Sequence, residues 1–378
     1  MTAAERGLRF PDDPPPPARR GGLRGRLGGR LGRPRPGVAK RASRSFTVTF
    51  IAVVVVAAFL SPLLRSFTIS LKNPDQINEL NGPVYPASAV TFNYQGKDLD
   101  VYQVPLNGQT RDLALFKKGR VSSDFVDPTN PDAAPVTWQG SWRTLTPSYR
   151  FDPQWQNYVN VWTELEYPKL LFNTIAIALI GMIGTLVSCV LVAYGFARFR
   201  FPGRDKLFIL VIATIFLPAA VTLIPTYTIF VRLGWVGTWL PLLVPAFFAN
   251  AYDVFLLRQY FMTIPREMDE AAAIDGAGPF RTHWSVLLPQ AVPVLIAVAI
   301  FHVVYSWNDF FGPLIYLSSS PDLQTLAVGL ARFSGARVAQ DPGLIQAGTM
   351  LTLIIPVVVF IIFQRVFVRG IVITGVEK

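Results

Sequence analysis

The chain has 378 residues, a hydrophobic fraction of 51% and a formal net charge of +11. A mean hydropathy of +0.37, carried by several long apolar runs, excludes an ordinary soluble domain and reads as a polytopic membrane protein. Most of the excess positive charge precedes residue 45, so it is a flank rather than a nucleic-acid surface, and a single cysteine, Cys189, rules out a disulfide framework or cysteine metal site within the chain.

Residues 1–45 combine a proline run at 14–17 with an Arg/Gly-rich stretch at 19–35. Such a segment cannot bury enough apolar surface to fold, and it predicts a disordered basic tail held in the cytoplasm. Residues 46–66 meet the requirement of roughly 20 apolar residues for a spanning helix. No small-x-small cleavage site follows promptly, which favours an uncleaved first span over a signal peptide. Residues 67–168 are polar, rich in Pro, Asn, Asp, Tyr and Trp, and fall outside the cytoplasm if the first span starts inside. Within them, 89–94 and 99–104 alternate apolar and polar residues on either side of a turn at 95–98, which is a hairpin signal. This extracytoplasmic insertion is expected to be partly β. It serves either as a docking or gating surface for an extracytoplasmic partner or as a cap on the membrane bundle.

Five further apolar runs, 169–195, 207–230, 238–257, 290–312 and 345–367, complete an all-α core of six transmembrane helices. Arg198, Arg200, Arg204 and Lys206 follow the second run, Arg258 ends the fourth, and Arg365, Arg369 and Lys378 lie at the end of the sixth. By the positive-inside rule both termini are predicted on the cytoplasmic side of the plasma membrane. Pro218 and Pro225 should bend the third run. Between the fourth and fifth, residues 262–290 form a charged, alanine-rich interruption. Pro265 suits a first helical turn and Gly276 a C-terminal cap, giving a helix of about three turns. Gly278 and Pro279 open a second short helix, which Pro289 ends. Ala271, Ala272 and Ala273 carry little bulk, so this helix-glycine-helix elbow can lie close against another protein. Arg266, Glu267, Asp269 and Glu270 supply charge around it.

The elbow reads Glu270-Ala271-Ala272, three residues, Gly276, nine residues, Val286, one residue, Leu288-Pro289. This resembles the EAA signature, Glu-Ala-Ala-x3-Gly-x9-Ile-x-Leu-Pro, of permease subunits in ATP-binding-cassette (ABC) importers, with Val286 where Ile is more usual. Trp155-Gln156-Asn157-Tyr158, Phe172-Asn173-Thr174, Trp307-Asn308-Asp309-Phe310-Phe311-Gly312-Pro313-Leu314 and Leu323-Gln324-Thr325-Leu326 are similar to the second permease of the carbohydrate importers, the group of the maltose and glycerol-3-phosphate systems. The tail, Arg369-Gly370-Ile371-Val372-Ile373-Thr374-Gly375-Val376, is a looser match. The resemblance covers 46–66 and 150–378; the basic tail and the approximately hundred-residue insertion depart from it. It implies the type I ABC importer fold, with the elbow as a coupling helix that fits a groove on the ATPase. The implied partners are a second homologous permease in a heterodimer, an ATPase dimer on the cytoplasmic side and an extracytoplasmic solute-binding protein. It also implies that the chain is not itself an enzyme and binds no cofactor, ATP and Mg being held by the partner ATPase.

The sequence lacks the Gly-x4-Gly-Lys-Ser/Thr phosphate loop, so the energy must arrive from another polypeptide. Glu270 and Asp275 are candidates for polar contacts to it, beside Ala271 and Ala272. Gly276 permits the backbone reversal, and Pro279, Leu288 and Pro289 fix the second arm. Polar residues within spans are pathway candidates because lipid cannot satisfy them. Asn173, Asn250, Tyr252, Tyr305 and Asn308 qualify, with Trp307 or Tyr305 offering aromatic faces to a sugar ring. The competing reading for the Asn residues is hydrogen bonding between neighbouring helices. His302 is expected to be a satisfied packing residue and His283 to lie on the elbow's surface; the two are too far apart in sequence to suggest a metal site. The rival functions are a channel, which would need a filter or charged pore ring, and an ion-coupled secondary transporter, which would usually show paired repeats or intramembrane carboxylates.

Overall fold

The computed structural model describes residues 36–79, 82–106, 108–337 and 341–373. Residues 1–35 of the tail expected at 1–45, and the last residues, 374–378, lie outside that range. Contacts divide the chain into two units, Met1–Leu60 and Ser61–Lys378. Helix α1 covers Pro36–Ser70. It therefore starts ten residues before the expected boundary at 46: Pro36 takes the first helical position, and Ala39, Lys40, Arg41 and Ala42 are good helix formers. From Ser45 onward its apolar side chains, Val53 and Phe59 among them, point outward, as lipid allows.

The insertion begins with α2 (Pro74–Asn78) and continues as β1 (Ala87–Ala89), β2 (Thr91–Tyr94), β3 (Lys97–Leu106), β4 (Gln109–Lys117), β5 (Ser122–Val126), β6 (Val136–Gln139), β7 (Thr146–Pro147) and β8 (Tyr149–Phe151). Strands β2 to β6 form an antiparallel meander, β7 adds to β3, and β1 pairs separately with β8. The predicted hairpin is present with a tighter turn. Tyr94 pairs with Lys97, and Gln95 and Gly96 both take positive φ, 52° and 79°. Two left-handed residues match the twist of the flanking strands, so the expected four-residue turn shrinks to two. Alternation turns Tyr102, Val104, Leu113, Leu115 and Phe125 into a small core closed by Trp138 and Trp142.

Helix α3 (Gln156–Glu164) leads into α4 (Tyr167–Arg198), which packs against several of the helices that follow it. Then come α5 (Arg204–Ala213), α6 (Ala219–Arg232), α7 (Leu240–Leu243) and α8 (Ala251–Thr263). The elbow supplies α9 (Glu267–Ile274), α10 (Pro279–Thr282) and α11 (Leu288–Gln290); the chain ends with α12 (Val292–Asn308), α13 (Phe311–Tyr316), α14 (Leu326–Arg337) and α15 (Pro342–Ile373). Close approach to α4 depends on small residues. A Cβ on Gly184 would lie 2.7 Å from the Phe247 ring, and one on Gly181 would lie 2.6 Å from His302 Nε2. The main core joins Val190, Ala193 and Tyr194 of α4 to Val254, Leu257 and Phe261 of α8, with Leu287, Val294 and Val298 closing it.

Four stretches are long and apolar enough to cross a membrane: Ser45–Ser70, Tyr167–Arg198, Leu240–Thr263 and Pro342–Gln364. The other two predicted spans are bent pairs rather than single rods. Arg204–Phe216 meets Ala220–Arg232 at 99°, and Pro279–Gln290 meets Val292–Asn308 at 79°. The first break falls at Pro218, whose backbone is extended (ψ 132°), while Pro225 is accommodated inside α6. If each pair is one crossing, the count among the described residues is up to six.

Candidate functional site

Helix α8 stops at Thr263, and Pro265 stands ahead of α9 rather than in its first turn. The first arm is therefore eight residues long, about two turns instead of three. Glu267, Asp269 and Glu270 crowd its first turn, where carboxylates oppose the positive end of the helix dipole. At its other end Gly276 takes φ +77°, with the Gly276 N–H donating to Ala273 O (3.0 Å) and the Ala277 N–H to Ala272 O (2.9 Å). These paired bonds satisfy the last carbonyls and require a left-handed residue, which is why glycine stands there.

The second arm starts from extended Gly278 with Pro279 at its first turn. It passes through a π-helical turn, His283–Leu287, and reaches Gln290, one residue beyond Pro289. The widened turn precedes a proline that has no N–H to donate, and it sets Leu287 fully into the core. Leu288 packs partly buried on the same core, while Pro289 remains exposed.

The C-terminal end of α4 holds both arms. Arg198 Nε lies 3.2 Å from Asp269 Oδ2 on the first arm, and its NH2 group donates to Ile264 O at 3.0 Å. The Tyr194 hydroxyl donates to Pro279 O of the second arm at 2.9 Å. His283 is not on the elbow's surface as expected. It is fully buried, its ring 4.3 Å from that of Tyr194 and 5.9 Å from that of Phe261, because the second arm turns this face toward α4 and α8. Both His283 nitrogens lack a hydrogen-bond partner among the described residues. A cavity of about 310 Å³ between the arms and α4 is lined by Tyr194, Arg198, Arg266, Asp269 and Glu270.

The outer side of the elbow differs. Glu270, Ala271, Asp275, Gly276 and Pro279 are exposed, whereas Ala272 is buried against the bundle. Ile274 is 87% exposed and Phe280 68%, and the Phe280 ring packs 6.0 Å from that of half-exposed Trp284. Large apolar side chains this exposed are of the kind that bind another protein.

The intramembrane candidates separate into two groups. The Asn173 amide donates to Asp322 O and Gln324 O, both at 2.9 Å, and Thr174 Oγ1 accepts the Leu326 N–H at 2.8 Å. The stretches at 172–174 and 323–326, far apart in sequence, are two halves of one lock. Asn250 caps α8: its Oδ1 accepts the Asp253 N–H and its amide donates to Asp253 Oδ2 at 2.7 Å. Trp307 packs on the cluster that contains Tyr167 and Leu170, and the Asn308 amide donates to Val304 O at the end of α12. Tyr252 and Tyr305 are exposed, and Phe301 packs 6.4 Å from Tyr252 one helical turn before Tyr305, giving an aromatic outer face across α8 and α12. His302 Nδ1 is 3.0 Å from Thr185 Oγ1, which agrees with a satisfied packing residue. Arg198 and Tyr194 are the groups at the elbow to which sequence reasoning gave no site role. Only Arg198 left a signal, as a basic residue in the last turn of a span.

Residues 184–372 match the family described as "Binding-protein-dependent transport system inner membrane component". The osmoprotective compounds uptake permease protein GgtD of Synechocystis is 33% identical over 59% of this chain and 74% of its own length. The sn-glycerol-3-phosphate transport system permease protein UgpE of Agrobacterium fabrum is 37% identical over 54% of this chain and 72% of its own. Among solved structures, a chain of a bacterial ABC transporter involved in import of the acidic polysaccharide alginate superimposes with a TM-score of 0.59. That likeness covers 86% of this chain and 97% of the other at 20% identity, and it carries the fold alone. The chain belongs to the inner-membrane components of binding-protein-dependent transport systems, the permease subunits of ABC importers.

Proposed function

We propose that this chain forms half of the translocation pathway of an ATP-driven carbohydrate importer and receives its mechanical input at the elbow. The observation that carries the reading is the elbow's two-sidedness: Arg198 and Tyr194 fasten it from within, and Ile274, Phe280 and Trp284 face outward. A transporter changes state only through contacts that differ between states, and this surface is where an ATPase would make them. Glu270 and Asp275 border it, and Gly276, Pro279, Leu288 and Pro289 set the angle between its arms.

In this reading the chain makes six crossings with both termini cytoplasmic, and 67–168 lies outside. It works beside a second homologous permease, an ATPase dimer that holds ATP and Mg, and a solute-binding protein. The pathway reading rests on the exposed aromatic face of Tyr252 and Tyr305, because the amides of Asn173 and Asn250 already have protein partners. Relatives named for glycerol-3-phosphate transport support a hydroxyl-bearing solute.

Gly276→Asp tests the coupling. A Cβ there meets nothing within 4 Å, so the change strains a left-handed turn by about 1 kcal/mol and adds charge to the docking face without a clash. Solute-stimulated ATP hydrolysis by the assembled transporter should disappear while membrane insertion is kept. Normal coupled transport in this variant would refute the reading.

A further inference from the structure

The loop between α4 and α5 meets the start of the elbow in a second cavity, of about 450 Å³, that the coupling reading does not use. Arg200, Arg204, Lys206 and Arg266 line it, with Asp205 as the one carboxylate on its wall. That carboxylate is already engaged: Asp205 Oδ1 lies 2.9 Å from Arg204 Nε. Among the described residues, Arg200, Lys206 and Arg266 make no ion pair with an acid. Arg258 adds a further positive charge within electrostatic reach of Arg204. Helix α5 begins at this wall behind Gly203, with Asp205 in its first turn, so the cavity's positive potential comes from the arginine and lysine side chains rather than from the helix end. Like charges gathered in a concave site repel one another and attract an anion.

The positive-inside rule accounts for basic residues here, but not for their convergence on one cavity with a residue of the elbow. A phosphate group fits the chemistry, since arginine forks bind its oxygens through charge-assisted bonds. The surroundings favour a phospholipid as its carrier. Leading away from the basic wall, α5 presents Leu207, Ile209 and Leu210 outward, at 48%, 68% and 63% exposure, a surface for acyl chains below a bound headgroup. Arg266 also lines the smaller cavity, with Asp269 and Glu270. An anion in the basic cavity would therefore bind a residue that also borders the elbow's own cavity.

We propose that this cavity binds the phosphate group of an anionic phospholipid, and that Arg266 links its occupancy to the elbow. The site does not depend on the identity of the transported solute or on the ATPase contact. To test it, the complete transporter is reconstituted in neutral phosphatidylcholine nanodiscs, with phosphatidylglycerol added in one arm and inorganic phosphate in the other. Native mass spectrometry reads what the permease retains. Wild type should retain phosphatidylglycerol about tenfold more strongly than Arg200→Gln/Lys206→Gln. Arg200→Lys/Lys206→Arg, which keeps the charge and the insertion signal, should retain it like wild type. Saturable retention of inorganic phosphate without phosphatidylglycerol would overturn the lipid source. Equal retention by all three proteins, or retention of neither probe, would overturn the site.

Discussion

The two ends of α4 are fastened by polar contacts of opposite design. Toward the N-terminus, Asn173 and Thr174 bond to the backbone of 322–326, and both side chains are buried. Toward the C-terminus, Tyr194 and Arg198 grip the elbow on one side only, leaving Ile274, Phe280 and Trp284 uncovered on the other. A joint whose groups are satisfied internally makes the bundle rigid. A joint with one bare side leaves a face open to a partner. In the proposed reading the same helix therefore carries a fixed end and a driven end, as transmission through a rigid element requires.

The largest effect on stability is expected at the driven end. Arg198→Ala leaves Asp269 without its cation in a half-buried site and frees Ile264 O, so it should cost about 3 kcal/mol and lower the melting temperature of the purified complex. Its ratio of solute-stimulated to basal ATP hydrolysis should fall as well. At the fixed end, Asn173→Leu leaves two backbone carbonyls unpaired and should cost about 2 kcal/mol. In the protein that folds, that ratio should match wild type; a fall would erase the distinction between the two ends. The smallest effect on stability belongs to the bare face. Ile274→Asp removes no internal contact of consequence, so a melting curve should register less than about 0.5 kcal/mol while ATPase association is lost.

What the sequence revealed follows the same division. The elbow was legible because its residues are contiguous: Glu270, Gly276, Val286 and Pro289 keep the spacing of the signature it resembles. Its inner fastening was not, since Arg198 and Asp269 stand on separate helices and no periodicity connects them. His283 was misplaced for a related reason: which face of a short helix is buried depends on the π-helical turn and on α4, neither of which leaves a local pattern. At the fixed end both partner stretches stood out, yet their pairing did not, because hydrogen bonds to backbone carbonyls carry no residue code. The β2–β3 hairpin was readable from alternation and Gly96. The β1–β8 pair was not, being two three-residue strands joined across the whole insertion. Asn250 shows the limit of treating polarity in a span as function, since a helix that restarts inside an apolar run needs a cap.

In the proposed mechanism the bare side of the elbow is where an ATPase docks. Co-purification of the ATPase with the permease, compared between Ile274→Asp/Phe280→Ser and Asn173→Leu, tests it most directly. The elbow variant should lose the ATPase while keeping wild-type thermal stability, and the lock variant should keep the ATPase while melting lower. An elbow variant that holds its ATPase as firmly as wild type would contradict the claim.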